Sequence, residues 1–227
     1  DVTLGIGSRD GQRDFYLCDN FLFGPLAWPA VYRDDGGAHA NDDGIHVDGD
    51  GHVVCHNLLV GWGDGIKNGT EGARSFDVYG NDIVAAYDNA IELDGTSSGA
   101  RAFRNRITNG YAPISVQPIL GGAAYIFRNV VVNVADEQMK FHALGGGSSP
   151  SGIFAWHNTF VSAGPALHVS TSDPSHLFEL RNNVLVGSDP AAVADWDAPI
   201  DRGTFDGNGW APDGEMFFRG LGRWASF

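Results

Sequence analysis

Tyr79-Gly80-Asn81-Asp82-Ile83, Phe103-Arg104-Asn105-Arg106-Ile107 and Phe127-Arg128-Asn129-Val130-Val131 are three copies of one pattern, apolar–x–Asn–x–apolar, set 24 residues apart. The pattern continues outward as Cys55-His56-Asn57-Leu58-Leu59 and Cys18-Asp19-Asn20-Phe21-Leu22 on one side. On the other it continues as Trp156-His157-Asn158-Thr159-Phe160 and Leu180-Arg181-Asn182-Asn183-Val184. The Asn positions are then 20, 57, 81, 105, 129, 158 and 182, with spacings of 37, 24, 24, 24, 29 and 24. A fixed period in this range marks a solenoid. The Leu-x-x-Leu-x-Leu signature of leucine-rich repeats is absent, and no segment between the motifs has helical periodicity. Each repeat instead holds short alternating strands. Stacked coils place equivalent residues about 4.8 Å apart, so identical Asn amides can hydrogen-bond up the stack. The expected fold is all-β: a single-stranded right-handed parallel β-helix with coils of about 24 residues.

The expected organisation is a β-helix over 1–187 with about seven coils, then a C-terminal cap or irregular extension over 188–227. The long spacings mark loop insertions at 25–41 and 145–150, which in a solenoid project from one side and wall a groove. The residue two before each Asn (Cys18, Cys55, Tyr79, Phe103, Phe127, Trp156, Leu180) is read as an inward column. Cys18 and Cys55 then fall on neighbouring coils, as a disulfide or as two buried free thiols.

Composition narrows the function. The formal net charge is −14, with 28 acidic against 14 basic side chains, the opposite of the basic footprint that nucleic acid requires. No apolar run approaches the roughly 18 residues of a membrane helix, so neither nucleic acid nor membrane is an expected partner. The chain begins at Asp1 without a signal-peptide pattern and reads as a mature chain or fragment, with an extracellular or periplasmic location expected.

The chemistry lies in the strand after each Asn motif. These strands are Asp43-Gly44-Ile45-His46-Val47-Asp48, Asp64-Gly65-Ile66-Lys67-Asn68, Asn89-Ala90-Ile91-Glu92-Leu93-Asp94, Pro113-Ile114-Ser115-Val116-Gln117, Gln138-Met139-Lys140-Phe141-His142 and Ala166-Leu167-His168-Val169-Ser170. Alternation sends the Ile, Met and Leu positions inward. One outward column is then His46, Lys67, Glu92, Ser115, Lys140 and His168; a second is Asp48, a gap, Asp94, Gln117, His142 and Ser170. Asp43, Asp64, Asn89 and Gln138 fall at the edge of the same sheet.

The 24-residue coils and Asn ladder, over about residues 13–187, resemble the pectate-lyase-like superfamily of β-helix proteins. The stretch Asp88–Gln117 with Arg128-Asn129 and Lys140-Phe141-His142 also resembles uncharacterised bacterial β-helix proteins. The superfamily resemblance implies a polysaccharide or oligosaccharide bound along one parallel sheet. The order of groups, carboxylates first and cations on later coils, is similar to that of polygalacturonases, although their Asn-Thr-Asp, Asp-Asp, Gly-His-Gly and Arg-Ile-Lys motifs are absent.

Three activities are compatible with such a face. Glycoside hydrolysis would use a carboxyl pair from Asp64, Glu92 and Asp94, since crowding keeps one carboxyl protonated as the acid. Lys140 and His142 would then assist as catalytic groups. The expected substrate-binding residues are Asp43, His46, Asp48, Lys67, Asn89, Ser115, Gln117, Gln138 and His168. A polysaccharide lyase or uronate epimerase would take Lys140, Lys67, His142 or His46 as base, with Ca²⁺ on Asp48, Glu92 and Asp94. The third activity is a non-catalytic carbohydrate-binding or adhesive solenoid. No cofactor is required by the first or third. Trp62, Tyr87 and Tyr111 are either a sugar platform or an inward aromatic stack.

Overall fold

The computed structural model describes residues 3–9, 11–69, 72–117, 119–141, 150–162, 167–169, 176–187, 194–196, 202–211, 215–218 and 222–225. They form a parallel β-solenoid whose coils each contribute one strand to each of three sheets. Five successive turns carry all three. The first sheet contains Leu4–Gly7, Asp43–Val47, Ile66–Asn68, Asn89–Glu92 and Ala112–Ser115, in that spatial order. The second runs from Tyr16–Cys18 through Val53–Cys55, Asp77–Tyr79, Ala100–Phe103, Leu120–Phe127, Ser151–Trp156 and His176–Arg181 to Gly203–Asp206. The third starts at Phe21–Phe23 and ends at Val184–Val186 and Gly209–Ala211. Coil pairing therefore continues through Ala211, past residue 187, where the sequence repeat fades.

The Asn ladder explains the turn between the second and third sheets. Each ladder carbonyl accepts from both the backbone N–H and the side-chain amide of the Asn one coil earlier; for Asn81 to Asn105 both distances are 3.0 Å. The same Asn81 amide also donates to the Val54 carbonyl at 3.0 Å. Buried polar atoms are thus satisfied at every corner. The residue before each ladder Asn has positive φ, whether it is His56, Gly80, Arg104 or Arg128, and this bend turns the following side chain into the stack.

Two expectations change here. The ladder member after Asn158 is Asn183, not Asn182: Asn158 donates to Asn183 Oδ1 at 2.9 Å, and Asn183 in turn to Asn208. Asn182 takes the left-handed corner with φ 54°, a conformation Asn tolerates better than most residues. The aromatic column is also not inward. Val54, Val78, Ala102, Ile126 and Ala155 fill the interior at 0% exposure. Tyr79, Phe103 and Phe127 lie on the outer face, their rings stacked at 4.8 Å centroid spacing. Only Leu180 points inward, because the last motif is shifted by one residue.

The first sheet packs Ile45, Ile66, Ile91, Ile114 and Met139 into the same core. Gly44 and Gly65 lie between these columns, where a Cβ would come within 2.5–2.6 Å of the next coil's carbonyl oxygen. This close approach accounts for the recurring Asp-Gly-Ile. Cys18 and Cys55 are joined in a disulfide with Cα atoms 4.5 Å apart.

The insertion at 25–41 carries a short helix, Tyr32–Asp35, that lies across several coils. Tyr32 stacks on Tyr111 at 5.8 Å, Tyr87 hydrogen-bonds Asp35, and Arg33 donates to the Ala135 carbonyl at 2.9 Å. The insertion is pinned as a wall beside the first sheet. The loop expected at 145–150 lies outside the described residues except for Pro150.

Candidate functional site

Backbone register places His46 beside Lys67, Lys67 beside Glu92, Glu92 beside Ser115, and Ser115 beside Lys140. These residues form one row on the outer face, with His46 to Ser115 on four strands of the first sheet and Lys140 on an isolated bridge beside the last of them. His168 lies in the strand Leu167–Val169, which pairs in parallel with Ala194–Trp196. His142 lies outside the described residues. Gln138 faces the interior, at 0% exposure, donating to Ser162 Oγ at 2.8 Å and to the Val186 carbonyl at 2.7 Å. It packs the solenoid and does not reach the groove.

Each strand start supplies a partner three residues before the row. Asp43 Oδ2 meets His46 Nδ1 at 2.7 Å, Lys67 donates to Asp64 at 3.0 Å, and Asn89 donates to Glu92 at 3.1 Å. A second carboxylate then approaches each cation: Asp48 lies 3.5 Å from His46 Nε2 and Glu92 lies 3.3 Å from Lys67. The gap in the second column is Gly69, where a Cβ would fall 2.0 Å from His46 Nε2. Its bare backbone makes room for the imidazole.

Asp64 is the organising carboxylate. It is 1% exposed, and its Oδ1 accepts from the backbone N–H of Asn89 at 3.0 Å and from the Asn89 amide at 3.1 Å. Asp94 is held by Ser115 Oγ at 2.7 Å and by the Gln117 backbone N–H at 2.6 Å. Lys140 approaches the Asn89 amide oxygen at 3.5 Å.

These surroundings change the protonation of the site. Burial, with Asp64 and Asp94 nearby, pushes the Glu92 carboxyl up to about 9, so it carries its proton at neutral pH. Burial also raises Asp94 to about 6, opposed by its hydrogen bonds from Gln117 and Ser115. Burial works against the Lys67 ammonium, but Asp64 and Glu92 outweigh it and raise its pKa. The Asp43 hydrogen bond raises His46.

Asp88, absent from the expected site, belongs to it. It is 8% exposed, and burial together with Asp64 raises it to about 6. The sequence signal is an offset: the acid opening the strand in Asp43 and Asp64 is displaced one residue earlier, ahead of Asn89. Trp62 and Tyr87 are 3% and 1% exposed, so neither offers a sugar platform. Among the described residues no group of His, Cys, Asp and Glu is arranged to hold a metal ion.

Fold and site together define a parallel β-solenoid with a carboxylate-rich row of side chains on one sheet. Compared with protein-family models, curated proteins and solved structures, the chain matches none.

Proposed function

We propose that the protein hydrolyses a polysaccharide laid along the groove, with Glu92 as proton donor and Asp94 as the base that activates water. The carrying observation is a pair of carboxyls two residues apart, Glu92 at the end of the Asn89–Glu92 strand and Asp94 in the turn just beyond it, with Glu92 neutral at the pH where Asp94 is ionised. Environments that push two carboxyls apart assign acid and base. Glu92 would protonate the glycosidic oxygen, and Asp94 would take a proton from the water attacking the anomeric carbon. Lys67, 3.3 Å from Glu92, would stabilise the carboxylate left behind. Ser115 and Gln117 fix the orientation of Asp94.

The lyase reading is less favoured, because Asp64, 3.0 Å from the Lys67 ammonium, holds it charged and makes it a poor base. A location outside the reducing cytosol fits the Cys18–Cys55 disulfide.

The test is release of reducing ends from a panel of neutral, amino and acidic polysaccharides. Wild type is expected to release them from at least one. Glu92→Gln and Asp94→Asn are each expected to lower the rate by at least about a hundredfold while remaining folded. Full activity in both variants, or an unsaturated product absorbing in the ultraviolet, would overturn the assignment.

A further inference from the structure

The corner between the second and third sheets is the one corner of each coil that the first sheet does not share. The residue just before each ladder Asn sits on it, and this row reads His56, Gly80, Arg104, Arg128 and His157 on successive coils. All five have φ between 54° and 65°, so each coil offers the same point of departure for a side chain, about 4.8 Å from the next. Asp19 opens the row, three ladder steps before Arg104.

Arg104 and Arg128 are exposed neighbours in this row, and among the described residues neither guanidinium has a hydrogen bond or an ion pair. The arginines beside them do. Arg101 donates to Asp77 at 2.6 Å and Arg106 to Asp82 at 2.9 Å, each to an acid one coil earlier. In the row itself Gly80 precedes Arg104 and His157 follows Arg128, so neither neighbouring coil supplies an acid. Two like charges on adjacent coils repel, and an anion lying across both relieves that repulsion. The formal net charge of −14 acts weakly at this corner, because charges beyond about 8 Å are screened at physiological salt. The nearer Asp77 and Asp82 are already paired.

Beside the row, on the outer face of the second sheet, the rings of Tyr79, Phe103 and Phe127 cover one another's faces and leave their edges outward. Ring edges carry partial positive charge, so this margin favours an anion and gives a sugar ring no face to stack on. A convex corner has no walls to enclose a small molecule and suits an extended chain. In an acidic peptide strand, side chains on one face recur about every 6.7 Å, out of step with coils about 4.8 Å apart. An extended glycan with one anionic group per sugar repeats its charge about once per coil. We infer that this corner docks an acidic polysaccharide running along the solenoid axis, with Arg104 and Arg128 receiving the anionic groups of successive sugars. The surface is separate from the first-sheet row and stands whether or not that row cleaves a glycan.

The experiment is calorimetric titration of the full chain with a galacturonate hexamer, a glutamate hexapeptide and anionic phospholipid vesicles. Galacturonate is expected to bind at least about tenfold more tightly than the peptide or the vesicles. Its affinity for the wild type is expected to fall about fivefold between about 50 and 200 mM salt. Replacing both arginines, Arg104→Asn with Arg128→Asn, is expected to weaken galacturonate binding about tenfold. Asn182 holds the same corner with φ 54°, so this double variant is expected to keep the wild-type melting temperature. Lys140→Gln, on the first-sheet row, is expected to leave galacturonate affinity within about twofold. No galacturonate binding, an affinity indifferent to salt, or equal binding of the peptide or the vesicles would overturn the inference. So would a loss below about threefold in the double variant, or a larger loss in Lys140→Gln than in that variant. The salt and ligand comparisons use the wild type alone and decide the matter even if the double variant does not fold.

Discussion

Glu92 stores a conflict between function and stability. Its carboxyl rises from 4.5 to about 9 on folding because burial and the neighbouring Asp64 and Asp94 disfavour its charge. The folded state therefore binds the proton more tightly than the unfolded state. The sign follows: no penalty exists below about 4.5, and unfolding free energy falls as pH rises toward about 9. Glu92→Gln is expected to flatten that slope and to stabilise the protein by about 1–3 kcal/mol in mildly alkaline buffer. Urea unfolding of both proteins at about pH 5 and about pH 8.5 checks it; an equal slope in the variant would remove Glu92 from this role. Activity should follow a bell, rising as Asp94 ionises near 6 and falling as Glu92 loses its proton near 9. Glu92→Gln bears on both measurements in opposite directions, losing activity while gaining stability.

At the scale of elements, the ladder and the corner before it divide the work between adjacent residues. Asn183 sits at 1% exposure, donates to Ala155 O at 2.9 Å and to Asn208 Oδ1 at 2.9 Å, and accepts from Asn158. Asn183→Ala leaves several of these buried groups unpaired and is expected to cost about 2–4 kcal/mol. Asn182→Gly keeps the positive φ and is expected to change stability by less than about 1 kcal/mol. Thermal denaturation of the two variants compares them directly, and equal losses would contradict the register. The motif shows why sequence alone chose the wrong member: Asn182 and Asn183 are adjacent, and both the corner and the ladder favour Asn. The inner and outer sides of the second sheet were misread for a related reason. Aromatic rings two residues before each ladder Asn suggest a core, yet the alternation hands that place to Val54, Val78 and Ala102 and leaves the rings stacked outside.

Across the whole molecule, the first two coils are tied by Cys18–Cys55, closing a loop with a sequence separation of 37. Constraining a loop of that length in the unfolded chain stabilises the fold by about 3–4 kcal/mol in the chain-entropy account. Replacing both cysteines by Ala is expected to lower stability by that order and to raise amide exchange first in Leu4–Gly7, Tyr16–Cys18 and Phe21–Phe23. Hydrogen exchange with and without the disulfide measures it; uniform loss of protection along the solenoid would argue against nearest-neighbour stacking. The insertion wall is also a molecular-scale feature. Tyr32 meets Tyr87 and Tyr111, and Arg33 reaches Ala135, which is 102 residues away. No local pattern specifies such contacts.

The sequence by itself determined the solenoid and much of the row His46, Lys67, Glu92, Ser115 and Lys140, because a repeat at fixed period aligns its own strands and alternation assigns their faces. Only the tertiary structure decided what those residues do to one another. It turned Gln138 inward to Ser162, set His46 between Asp43 and Asp48 and Lys67 between Asp64 and Glu92, and brought Asp88 into the cluster. The physical reason is that spacing fixes which residues stack, whereas burial, hydrogen-bond geometry and pKa depend on neighbours that lie one coil or a whole insertion away in the chain.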